Sequence, residues 1–172
     1  WTGQNATLTA QSDGIKYTIT AANPSMTSPN ISINGAVNNL ISIQLQQSSG
    51  TESYSIRIQY KTASHGYSDS YMKRVEVLGS LNIVRSIQVD MHTLTAGGTD
   101  WQNSTITGIR ILITDTINSV YILPLINVGQ SSTTEIGIQD LTIRITQAEA
   151  DIDGANAAIA LKADESTVSE LG

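Results

Sequence analysis

The 172-residue chain has no Cys and no Phe, two Trp and six Tyr, and a formal net charge of −6. That composition excludes disulfides and thiolate metal sites and leaves a core built mainly from Ile, Leu and Val. The charge is uneven: residues 1–134 carry seven basic and seven acidic side chains, whereas residues 135–172 carry two basic and eight acidic ones.

Along residues 1–130 apolar and polar side chains alternate with period two, the signature of strands with one buried face. Ile15, Tyr17 and Ile19 follow the turn Ser12-Asp13-Gly14, and Ile31 and Ile33 run from Pro29 to the hairpin-type signal Asn34-Gly35. Ile41, Ile43 and Leu45 share a face, as do Tyr54, Ile56, Ile58 and Tyr60, then Val75 and Val77. Ile87, Val89 and Met91 follow, then Ile109, Ile111 and Ile113. The last run, 120–128, is apolar on both faces and reads as a buried strand, with Pro124 at a bulge or edge. About eight short strands with no helical pattern between them disfavour βαβ folds and predict an antiparallel, jelly-roll-type β-sandwich over residues 1–130.

The pattern changes near residue 131. Ser132 and Glu135 have capping-box spacing, and Ile138, Ile145, Ile152 and Ile159 then recur at intervals of seven. Leu141, Ala148 and Ala155 take the second seam position, so residues 131–172 predict a C-terminal α-helical coiled-coil stalk with a break near 160–167. One such helix is marginal in water, and self-association supplies the missing burial. The chain starts at Trp1 without Met and stops at Gly172 inside the pattern, and reads as a piece of a longer protein.

Two segments resemble a known family. They are residues 98–110, Gly98-Thr99-Asp100-Trp101-Gln102-Asn103 and onward to Arg110, and residues 60–68, Tyr60-Lys61-Thr62-Ala63-Ser64-His65-Gly66-Tyr67-Ser68. With Pro24, Pro29, Asn34-Gly35 and the tail from Arg144 to Asp164, they are similar to the carbohydrate-binding-module-like domain and coiled segments of central tail-tip (host-specificity) proteins of long-tailed bacteriophages. The resemblance implies a homotrimer at the distal end of the phage tail in the virion. It also implies partners among other tail-tip proteins and a bacterial surface receptor or glycan. Heptad spacing alone leaves two, three or four strands open. The competing readings are a carbohydrate-binding module of a secreted bacterial glycoside hydrolase and the stalk of a bacterial adhesin.

Tyr60, His65, Tyr67 and Tyr71 are the candidate glycan ligands, because aromatic rings suit the C–H faces of sugars. Lys61, Lys73 and Arg74 are placed to meet acidic groups. Trp101 is a further candidate platform; it equally suits a plug at the end of the sandwich, with Asp100 capping a turn. An enzyme is not expected: Asp13, Asp90, Asp100 and Asp115 are scattered and carry no motif, and glycoside hydrolysis needs two carboxyls facing one cleft. His65 and His92 lack a nucleophile and acid arrangement. No cofactor, no nucleic acid partner and no membrane span is expected, and no zinc spacing or EF-hand loop is present, which leaves a Ca²⁺ held by sandwich loops as the one open metal reading.

Overall fold

The computed structural model describes residues 1–51, 53–78 and 81–130. The stalk positions Ile138, Leu141, Ile145, Ala148, Ile152, Ala155 and Ile159 lie outside the described residues. The described strands are β1 (Thr2–Gln4), β2 (Ala6–Gln11), β3 (Gly14–Ile19), β4 (Ser25–Thr27), β5 (Ile33–Asn34) and β6 (Leu40–Ser49). They continue with β7 (Ser53–Lys61), β8 (Met72–Leu78), β9 (Val84–Asp90), β10 (Thr105–Ile106), β11 (Gly108–Thr114) and β12 (Val120–Gly129). One 3-10 turn, Trp101–Asn103, lies between β9 and β10.

Two five-stranded antiparallel sheets form a sandwich. The first has strand order β1-β4-β11-β7-β8 and the second β2-β3-β12-β6-β9; β5 and β10 make a separate two-stranded ribbon. The period-two residues face the interior: Ile56, Ile58, Ile111 and Ile113 from the first sheet meet Tyr17, Ile41, Ile43 and Tyr121 from the second, all fully buried. Alternation then dictates that Arg57, Gln59 and Lys61 of β7 and Arg110 and Leu112 of β11 project from the outer face of the first sheet. Register places Arg110 opposite Gln59 and Leu112 opposite Arg57.

Several local expectations are corrected. Asn34-Gly35 does not join two sequential strands. Asn34 closes a local turn, its Oδ1 accepting from the Ala36 amide and its carbonyl from the Asn38 amide, while β5 pairs with the distant β10. Gly35 is there for a close approach, since a Cβ would stand 1.9 Å from the Trp101 carbonyl oxygen. The 120–128 run is not buried throughout: β12 slips register against β6 between Ile122 and Leu125, and Pro124 and Leu125 are exposed in that bulge. There the missing proline N–H costs no ladder bond. β1 and β2, read from the sequence as no strand, are edge strands whose side chains are mostly exposed and carry little apolar alternation.

Candidate functional site

A groove of about 470 Å³ crosses the outer face of the first sheet. Its floor is Ser25 of β4, Gln59 and Arg57 of β7, and Arg110 and Leu112 of β11. Tyr67 and Asp69 from the β7–β8 loop form one wall, and Gln4, Asn5 and Asn23 the other. Asn5 and Asn23 both have positive φ, at 55° and 54°, a conformation asparagine tolerates better than most residues. Asn5 fixes that wall by donating its Nδ2 to the Ala22 carbonyl at 2.7 Å and accepting the Thr20 amide at 3.0 Å.

Tyr67 lies against the sheet between two cations. The Arg110 guanidinium carbon is 4.4 Å from the ring centroid and Lys61 Nζ is 5.8 Å from it. The hydroxyl points down, away from solvent, over Gly108; a Cβ at Gly108 would stand 2.2 Å from it. Burial raises the Tyr67 phenol above its ordinary range, opposed by the charge of Arg110. The ring, and not the hydroxyl, is therefore the part presented to a ligand. Asp69 is held by Arg57 Nη1 at 3.0 and 3.1 Å and by Gln59 Nε2 at 2.7 Å, which fixes a carboxylate, a guanidinium and an amide along the floor.

The other aromatic candidates go elsewhere. Tyr60 and Trp101 are fully buried, with ring centroids 5.0 Å apart edge to face, so neither ring offers a surface to a sugar. Trp101 plugs the end of the sandwich and donates its indole N–H to the Asn38 carbonyl at 2.9 Å. His65 stacks on Tyr71 at 3.6 Å and 6°, both rings packed edge-on to Tyr60. His65 Nε2 meets Asp100 Oδ2 at 2.8 Å and its Nδ1 meets the Gly66 carbonyl at 3.0 Å. The Asp100 side chain thus turns to His65 and makes no cap bond to its own 3-10 turn. Of the five candidate ligands, only Tyr67 lines the groove.

The cations expected to meet acidic groups also separate. Lys73 bonds the carbonyl and hydroxyl of Thr93, and Arg74 pairs with Glu76 at 2.5 Å. Lys61 remains beside Tyr67, its Nζ donating to Asn30 Oδ1 at 3.0 Å. The sequence reading missed Arg57, Gln59, Asp69 and Arg110. The available signal was an Arg and a Gln standing between the core positions Ile56, Ile58 and Tyr60, where short hydroxyl residues would suffice.

Among the described residues, Asp90, Asp100 and Asp115 serve separate local networks. Asp115 lies in a structural knot with Thr51, Gln47 and Tyr121, Asp90 bonds the His92 amide and the Thr93 hydroxyl, and Asp100 serves His65. Asp69 is the one acidic residue lining the groove.

No family model matches the chain, and no curated protein sequence matches it. Its fold is similar to that of solved structures. An agarase aligns with TM-score 0.56 at 10% identity over 76% of this chain, which spans only 22% of the agarase chain. A family 29 carbohydrate-binding module from Piromyces equi aligns with TM-score 0.55 at 9% identity, over 77% of this chain and 80% of the module. At such identities the likeness is one of fold, an antiparallel β-sandwich.

Proposed function

We propose that the sandwich is a non-catalytic carbohydrate-binding module, gripping a glycan in the groove on the outer face of its first sheet. One observation carries the reading: an open groove where an aromatic ring, two guanidiniums, a carboxylate and several amides converge on a rigid sheet. Aromatic and apolar surface takes sugar C–H faces, while fixed polar groups select hydroxyl orientation. The likeness of fold to a carbohydrate-binding module supports it. A glycosidase reading has no support in the groove, because hydrolysis uses a pair of carboxyls across the scissile bond and Asp69 has no acidic partner there.

The expected result is that Tyr67→Ala weakens glycan binding by about 1–2 kcal/mol, roughly five- to thirtyfold, as loss of a ring contact does. Tyr71→Ala is expected to leave affinity unchanged and to lower stability through the lost stack on His65. Titration of both variants against a glycan that binds the parent chain decides between them. Equal losses in both, or a loss only in Tyr71→Ala, place the site away from the groove.

A second reading sets this module in a homotrimeric bacteriophage tail-tip protein acting in attachment to a bacterial surface, at the distal end of the virion tail. Its support is in the sequence, the Ile repeat at 138, 145, 152 and 159. Light scattering of the full chain at micromolar concentration is expected to give three times the monomer mass. A monomer with residues 131–172 intact contradicts it.

A further inference from the structure

We infer that the glycan bound in the groove carries a carboxylate, as a uronic acid does, and that Arg110 is the residue that grips it. The inference rests on the groove being a glycan site and names the ligand class. The first ground is the charge balance. Two cations and one anion line the groove, and the anion, Asp69, is taken by Arg57 at 3.0 Å and by Gln59. Arg110 makes no ion pair among the described residues. Its Nε reaches Thr27 Oγ1 at 3.3 Å and its guanidinium carbon lies over the Tyr67 ring. The second ground is the neighbouring cation. Lys61, opposite Gly108 in the β7–β11 register, stands on the same ring and bonds a neutral amide oxygen, Asn30 Oδ1.

The contrast with the rest of this face is informative. Arg57 and Arg74 each pair with an acid, Asp69 and Glu76, whereas the two cations flanking Tyr67 form no ion pair among the described residues. Two cations without an ion-pair partner among the described residues thus stand around the one aromatic ring of the groove. Arg110 is also ordered before any ligand arrives, held between the Tyr67 ring and Thr27. A guanidinium held in a fixed plane presents paired N–H donors that match a carboxylate, the arrangement in which Arg gains most over Lys. A neutral sugar uses none of that charge.

The test uses the full chain with matched ligands: polygalacturonate, alginate and hyaluronan, each beside the same polymer after reduction of its carboxyls to primary alcohols. Neutral agarose, cellulose and laminarin complete the panel. At least one acidic polymer is expected to bind about tenfold or more tightly than its reduced form, the scale of one charge-assisted pair, with affinity falling as salt rises. Arg110→Gln is expected to erase that preference while lowering the melting temperature by a few degrees at most, the scale of its contacts with the Tyr67 ring and Thr27 on the outer face. Arg110→Lys restores only part of it. Equal binding of the acidic and reduced forms, or binding confined to the neutral polymers, overturns the carboxylate inference and leaves the glycan site standing. Binding to none of the panel counts against both. A preference for acid that survives Arg110→Gln overturns the assignment of the grip to Arg110.

Discussion

Trp101→Ala is expected to lower the free energy of unfolding by about 3–5 kcal/mol, the usual consequence of emptying a large aromatic site in a core. The indole is fully buried, packs edge-on to Tyr60, and satisfies the Asn38 carbonyl. Its backbone carbonyl also closes over Gly35, so the Trp101–Asn103 turn and the Asn34-Gly35 turn are held together at one end of the sandwich. Trp101→Phe refills most of the volume and leaves the Asn38 carbonyl without its donor, and about 1–2 kcal/mol of the loss is expected to remain. Denaturant titration of the three proteins reads both steps. A loss below about 1 kcal/mol for Trp101→Ala contradicts the plug, because surface substitutions fall in that range.

The opposite end depends on a single carboxylate. Asp115 accepts from the Thr51 hydroxyl at 2.5 Å, the Tyr121 hydroxyl at 2.6 Å, Gln47 Nε2 at 2.9 Å and the Thr116 amide at 2.6 Å. Gly50, with φ of 136°, brings the chain so close that a Cβ would stand 2.2 Å from Asp115 Oδ2. Burial pushes the Asp115 carboxyl up, but the hydrogen bonds from Thr51, Tyr121 and the backbone amides outweigh it, and the net direction is down. Burial and the Asp115 charge push the Tyr121 phenol up, so it stays a donor. A carboxyl lowered in the folded state stabilises above its unfolded value, about 3.9, and that contribution is lost as pH falls through the folded value. Asp115→Ala is expected to cost about 2–3 kcal/mol near neutral pH, since it leaves several partly buried donors without an acceptor. Asp115→Asn is expected to cost less and to flatten the acid limb of the stability profile below about pH 4. An unchanged acid limb in that variant contradicts the role given to the carboxylate.

The sandwich was legible where core-facing side chains are Ile, Val and Tyr, because alternation reports burial on one face. It was illegible where a strand lies at an edge. In β2, Leu8 is the one large apolar side chain to pack on the core, and the remainder reads as loop. The groove was harder still, since Gln4, Ser25, Gln59 and Arg110 come from four strands that only the order β1-β4-β11-β7 makes neighbours. Aromatic type alone did not separate a ligand surface from a plug. Tyr60 and Tyr67 share one short segment, yet Tyr60 ends a strand on its inner face while Tyr67 belongs to the loop that folds back over the outer one.

The most direct measurement of the central claim is amide and side-chain chemical-shift mapping of the chain during titration with a glycan that binds it. The account predicts shifts concentrated at Arg57, Gln59, Tyr67, Asp69 and Arg110, with the Trp101 indole signal unmoved. Shifts confined to the outer face of the second sheet, around Gln44, Ser86 and Gln88, would contradict it.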